Sequence, residues 1–193
     1  FSFTALLPWT LFSKALQGAS RSLVASAHMI TKVYFPRIIL PLSSVMAGVV
    51  DFTIAFMVLL GMMFYYGIVP TANVWSLPFF LLLALVTAVG VGLWLSALNV
   101  LYRDIGYVLP FLTQFWMFIT PIAYPASIVP EQWQIWYAIN PMTGVVEGFR
   151  WALLGSGEVP GLILLVSSAV AVVVLISGLF YFKRMERLFA DMV

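Results

Sequence analysis

The sequence predicts an all-α fold, a polytopic transmembrane helix bundle. Three observations carry that prediction. Hydrophobic residues make up 63% of the 193-residue chain and charged residues 8%, whereas soluble domains carry roughly a quarter charged residues. The apolar runs are long and unbroken, which excludes the alternating pattern of a membrane barrel. The charges stand between the runs, where loops belong. Mean hydropathy of +1.08 agrees.

The elements follow in order. Residues 1–13 are apolar and too short to span alone, since a crossing needs about 20 residues. They read as the rest of a helix begun upstream, with Phe1 in its outer half, and not as a signal peptide, because no charged n-region or cleavage site accompanies them. Lys14, Arg21, His28, Lys32 and Arg37 form a basic stretch with no acid in it. Spans are then expected at about 42–66 and 77–101, divided by the Gly, Pro and Asn of YYGIVPTANVWSLP. Arg103 and Asp104 break the next boundary, and 105–123 is a fourth apolar run. Residues 162–182 form a charge-free last span before a polar tail. Five crossings are visible, and one more upstream would make six.

The basic residues orient the bundle. Lys14, Arg21, Lys32, Arg37, Arg103, Lys183, Arg184 and Arg187 fall on one side, which holds eight of the nine Lys and Arg. That side is cytoplasmic by the positive-inside rule. Arg150 falls on the other side with Glu131, Glu147 and Glu158.

Residues 125–157 are too apolar for a solvated loop. Trp133, Trp136 and Tyr137 suit a membrane interface. Val145, Val146, Phe149 and Leu153 share one helical face, with Glu147 and Arg150 expected opposite them. Two short re-entrant helices on the outer side are predicted. Backbone at that depth must be buried in protein or line a wet cavity.

The chemistry available is narrow. The chain has no Cys and one His, so thiolate metal sites and disulfides are excluded. No phosphate-cradling GxxxxGK[ST] occurs, and ATP with its Mg would have to bind a separate subunit. No cofactor or metal site is expected in this chain, nor any nucleic-acid partner. A membrane enzyme would need several acids, His or Arg on one face, and neither side offers such a set.

Four features remain as candidate sites. Asp51 is a lone carboxylate inside a span; it shares a small, polar face with Ser44, Ala47, Gly48 and Ala55. It is either a packing residue bonded to a neighbour or a charged group at a pathway or subunit seam. Tyr107, Phe111, Phe115 and Phe118 form an aromatic stripe at helical spacing, with Gln114 beside it. The stripe is either core or lipid-facing packing, or a surface on which sugars stack. Arg103 and Asp104 are either a helix start with its snorkelling Arg or a contact for a cytoplasmic partner. Lys32, Pro36 and Arg37 lie in a proline-bent segment ahead of a span, as a headgroup anchor or a moving gate.

Taken together, KVYFPRIILPLS, NVLYRDIGYVLPFLTQFWMFITPIAYP and NPMTGVVEGFRWALLG, in this order, resemble the permease subunit of polysaccharide and O-antigen ABC exporters, in the type-2 ABC exporter superfamily. The resemblance covers essentially the whole chain as a single transmembrane permease domain. It implies a homodimer of six-span permeases in the bacterial cytoplasmic (inner) membrane, working with two cytoplasmic ATPases on polyprenyl-diphosphate-linked glycans. The family's N-terminal interface helix and first span have no counterpart in residues 1–193. By position, Lys32, Pro36, Arg37, Arg103 and Asp104 match the gate and coupling turns. Tyr107, Phe111, Gln114, Phe115 and Phe118 match a helix along the translocation path. The segment with Trp133, Trp136, Tyr137, Glu147 and Arg150 matches the outer re-entrant helices. The alternative within the same superfamily is a permease for a drug, small lipid or lipo-oligosaccharide. A proton-coupled carrier would need relay groups beyond Asp51.

Overall fold

The computed structural model describes residues 1–32, 35–125, 128–155 and 161–189. Among them are eight α-helices: α1 (Ser2–Ala25), α2 (Ala27–Lys32), α3 (Ile39–Tyr65), α4 (Leu77–Leu101), α5 (Ile105–Ile119), α6 (Glu131–Ala138), α7 (Pro141–Leu154) and α8 (Gly161–Met185). Glu158, expected on the outer side, lies outside the described residues.

Local sequence explains the boundaries. Pro36 precedes α3, and Pro41 sits in its first turn, where a missing N–H costs no helical bond. Gly67 follows α3 at φ +68°, a turn open to glycine. Pro78 opens α4. Asn140 caps α7 through its side chain, with Pro141 at the first helical position and Gly155 ending the helix at φ +64°. Lys183 and Arg184 close α8, where cations suit the helix dipole.

Two boundaries differ from expectation. The fourth apolar run ends at Ile119 rather than at residue 123, because Thr120 is extended ahead of Pro121. Lys14 is not in a cytoplasmic stretch; it stands about halfway along α1. Pro8 lies in the second turn of α1, and no proline or helix break follows it up to Ala25, so the charge at Lys14 marks a face of the helix rather than its end.

Helices α3 and α8 and the segment Ala72–Leu101 are long and apolar enough to cross a membrane. The fold is an all-α membrane bundle. Its axis is α4, which packs against α1 on one side and α8 on the other. These contacts are close. A Cβ at Gly178 would lie 2.4 Å from the Gly90 carbonyl oxygen, and one at Gly92 would lie 2.9 Å from Ala19 Cβ. Small residues at such crossings let backbones meet where lipid supplies no hydrophobic drive between helices.

Cross-links sort the loops to two ends. Asn99 Nδ2 donates to Ser20 O (2.9 Å), and its Oδ1 accepts from Gly106 N (3.0 Å). Arg37 donates to Glu186 O. These join the end of α1, the start of α3, the α4–α5 turn and the end of α8. At the opposite end, Thr71 Oγ1 donates to Ala152 O (2.7 Å) and Ser167 Oγ to Ala138 O (2.9 Å). The most basic end is the one the positive-inside rule makes cytoplasmic.

The α4–α8 contact gives a direct test. Gly178→Ala drives a methyl into backbone that cannot move aside, so it should lose about 1–3 kcal/mol, as overpacked sites do. Gly61, with nothing within 4 Å of its would-be Cβ, should accept Ala neutrally or with a gain of about 0.5–1 kcal/mol. Thermal unfolding of the two purified variants in one detergent compares them.

Candidate coupling and translocation surfaces

At the basic end, Lys32 is the exposed last residue of α2, and Pro36 is exposed in the turn that follows. Arg37 is half-buried by its bond to Glu186 O. Arg103 and Asp104 are both exposed. Asp104 starts α5 without a side-chain cap; its backbone carbonyl receives Tyr107 N (3.0 Å) and Val108 N (3.1 Å). Nothing in α5 therefore occupies the Asp104 carboxylate. Arg21 Nη2 reaches the same turn, donating to Gly106 O (3.1 Å). Lys32 and Arg37 sit at the α2–α3 turn, Arg103 and Asp104 at the α4–α5 turn, and both turns lie at the basic end.

The outer end is built differently. Helices α6 and α7 are the two short helices the sequence predicts, with Trp133 and Trp136 exposed. Arg150 departs from expectation. It is expected opposite the apolar face of α7, yet its side chain is 1% exposed. Its Nη1 donates to Glu147 Oε1 (2.8 Å) and to Tyr124 O (3.2 Å), and its Nη2 donates to Ile122 O. The stretch after α5 folds back over α7, and its free carbonyls need a donor. Arginine's planar fork supplies several at once. The guanidinium also lies 3.9 Å over the Phe1 ring. Burial pulls its pKa down, and Glu147 opposes that by charge and hydrogen bond; an arginine stays charged regardless. Tyr137 shares a hydroxyl hydrogen bond with Tyr124. Its pKa is pushed up to about 12 by burial, then by that bond and the charge of Tyr124, so it stays neutral at physiological pH.

A second network ties α5 to α7. Trp116 Nε1 donates to Asn140 Oδ1 (3.0 Å), Asn140 Nδ2 donates to Thr120 Oγ1 (2.9 Å), and Met142 N donates to Asn140 Oδ1 (3.1 Å). The Trp116 ring stands edge-on to Phe12 of α1, at 5.0 Å. The inward side of α5 is thereby fixed. Its outward side carries Tyr107, Phe111, Phe115 and Phe118, all between 65% and 78% exposed, and the exposed Gln114. The stripe is not part of this chain's core.

Asp51 is bonded to a neighbour, and that neighbour is a cation. Lys14 Nζ lies 3.0 Å from Asp51 Oδ2, with the two side chains 65% and 59% exposed. Both stand about halfway along antiparallel helices. A charged side chain at the centre of a span costs about 2.5–3.5 kcal/mol on insertion scales, so bare lipid is a poor setting for this pair.

A model of the ABC-2 type transporter family matches residues 1–154. The chain belongs to that family. It is the multi-pass membrane component of an ABC-2 type transporter, and membership implies an ABC ATPase as partner. The chain is 29% identical over its whole length to the O-antigen export system permease protein RfbA of Myxococcus xanthus, covering 75% of that protein. It is 26% identical, again over its whole length, to an RfbA permease of Klebsiella pneumoniae, covering 74% of it. In this ABC-2 chain the described residues include no group of three or more His, Cys, Asp or Glu placed to hold a metal.

The sequence did not point to Lys14 as Asp51's partner, because the two are 37 positions apart. It gave no weight to Asn140 either, although Asn-Pro ahead of an apolar run is a helix-start signal. Asn140 sharpens a prediction for the ABC-2 bundle. Asn140→Ala removes a cap worth about 0.5–2 kcal/mol and strands the Trp116 and Met142 N–H groups. Asn140→Asp keeps both acceptor roles and should recover most of the loss. Thermal melts of both variants measure the difference.

Proposed function

We propose that the chain is the transmembrane subunit of an ATP-driven exporter that moves polyprenyl-linked polysaccharide across the bacterial cytoplasmic membrane, as O-antigen, capsule or a teichoic-type glycan. Two copies would form a homodimer, with two cytoplasmic ATPases on the basic end. The chain itself has no catalytic role; ATP and Mg belong to the partner. The observation that carries this reading is the outward aromatic stripe on α5 with Gln114 beside it. Sugars present flat apolar faces to rings and hydroxyls to amides, and a polar amide is costly against lipid. Whole-length similarity to O-antigen export permeases supports the same substrate class.

In this reading Lys32, Pro36, Arg37, Arg103 and Asp104 take the push from the ATPases. The α6–α7 segment, with Trp133, Trp136, Tyr137, Glu147 and Arg150, closes the exit. The lipid tail stays in the bilayer while the glycan passes at the seam between the two copies.

Two variants test the path. Phe115→Leu keeps most of the apolar volume and removes the ring face; such swaps usually cost under about 1.5 kcal/mol. It should lower surface glycan with normal amounts of protein in the membrane. Gln114→Leu should do the same. If both export like the parent, the stripe only packs or meets lipid.

Arg103→Glu tests coupling. An exposed ion pair is worth about 0–1 kcal/mol, so stability should hold. Transport and permease-stimulated ATP hydrolysis should both fall. Unchanged values for the two would remove Arg103 from the ATPase contact.

A further inference from the structure

Helix α1 carries a polar stripe. Thr10, Lys14 and Arg21 are exposed, and Ser13 and Gln17 are half-buried. These positions recur at i, i+3, i+4, i+7 and i+11, so they lie on one face. The neighbours on either side are fixed by contacts. Helix α3 meets α1 at Gly48, whose would-be Cβ sits 3.1 Å from Leu11 Cδ1, and at the Lys14–Asp51 pair. Helix α5 meets it through Trp116 against Trp9 and Phe12. Among the described residues the stripe therefore lies open between α3 and α5, on the side away from α4.

Its neighbour α3 shows what a lipid face looks like in this protein. Val50, Ile54 and Met57 are exposed and apolar along its length. The α1 stripe has the opposite character, with hydroxyls, an amide and two cations against one carboxylate. Polar residues along a membrane helix face the bundle interior or a wet cavity. The surplus is positive, and it is ordered: Arg21 near the basic end, where it also holds Gly106 O, then Gln17, then Lys14 at mid-depth.

We propose that this stripe is a binding site for a phosphate-type anion on its way across, with Arg21 as the first contact and Lys14 as the mid-membrane one. The inference rests on the export reading and names the group that the path would hold. Lysine's ammonium has three N–H donors. Asp51 takes one and leaves two for an arriving anion. Asp51 has a second effect: its negative charge weakens the hold on the anion. A transport path needs a site favourable enough to enter and weak enough to leave. A bare lysine at that depth would hold an anion too long, and a lysine with a nearby carboxylate holds it briefly.

Residues 1–193 contain no cysteine, so single thiols placed in them report cleanly once any cysteine elsewhere in the transporter is replaced by serine. Thr10→Cys and Gln17→Cys flank the pair without breaking it, and Val50→Cys is the lipid-facing comparison. The full-length transporter with its ATPase, in lipid nanodiscs, is treated with a membrane-impermeant thiol reagent, with or without inorganic diphosphate or farnesyl diphosphate. Positions 10 and 17 should label faster than position 50, and diphosphate should slow them. In the Gln17→Cys protein, adding Lys14→Gln should weaken protection about tenfold, the worth of one charge-assisted hydrogen bond. Adding Lys14→Gln with Asp51→Asn, which leaves no unpaired charge behind, should weaken it equally. Equal protection by both diphosphates assigns recognition to the phosphate group alone; protection by farnesyl diphosphate only assigns it to a lipid headgroup. Either supports the site. Labelling at 10 and 17 no faster than at 50 overturns it, because the stripe is then covered by protein or lipid. So does labelling that neither diphosphate slows, or protection that survives both Lys14 variants. Cellular glycan export is scored separately: export without protection removes this site alone, and protection without glycan export removes the glycan reading alone.

Discussion

Everything in this bundle hangs on how closely α4 can be approached. Between membrane helices, lipid tails are as apolar as leucine, so association rests on packing and hydrogen bonds rather than on escape from water. At Gly90 and Gly178 the α4 and α8 backbones nearly touch, and at Gly92 α4 admits Ala19 of α1. Farther toward the outer end, a Cβ at Gly148 would fall 2.1 Å from the Phe80 ring, so α7 too is seated directly on α4. With α1, α7 and α8 fixed to one helix, the outward faces of α1 and α5 are fixed in turn. The polar stripe and the aromatic stripe are side effects of that packing, displayed by a rigid frame rather than by loops.

Apolarity does not decide burial in this frame. Helices α3 and α8 leave most of their surface outside the chain although they are about as apolar as α4, the more buried of the three long spans. Helix α1 is the least typical of a span, yet it contributes a long row of buried residues from Thr4 to Leu23. In water this would be inside out. In a bilayer it is what solvation demands: lipid takes the apolar helices, and the polar helix is turned toward protein, with its charged edge left for something other than lipid.

That reversal explains what was legible in the sequence. Composition and unbroken apolar runs made the fold class plain, and prolines and charge clusters located most turns within a few residues. Two failures have one cause. Lys14 is expected in a cytoplasmic stretch, and Arg150 opposite the apolar face of its helix, because a charge in a sequence suggests water. Both are helix-interior residues whose partners are distant in sequence: Asp51 for Lys14, and the Ile122 and Tyr124 carbonyls for Arg150. Periodicity shows which residues share a face but not what the face meets. The aromatic stripe illustrates the limit, since the same spacing serves a core, a lipid face or a sugar path. Only its exposure, with Trp116 and Thr113 turned inward instead, removes the first of these.

The two ends of the bundle are held by different chemistry, and the difference bears on how motion would pass through it. At the outer end, Arg150 is buried among carbonyls, and Asn140 joins three partners in a partly buried network. Breaking either strands polar groups away from water, at about 1–3 kcal/mol for each neutral group and more for a charge. At the basic end, Arg21 and Arg37 reach single carbonyls across gaps between helices, and Lys32, Arg103 and Asp104 stand in the open. Contacts of that kind exchange with water at little cost. A push applied at the basic end would therefore meet soft, local bonds first and would reach the outer end only through the helices themselves. Helices α1 and α5 run between the two ends and carry the polar and aromatic stripes. In the export reading, the same two helices would be both the lining of the path and the rods that move it.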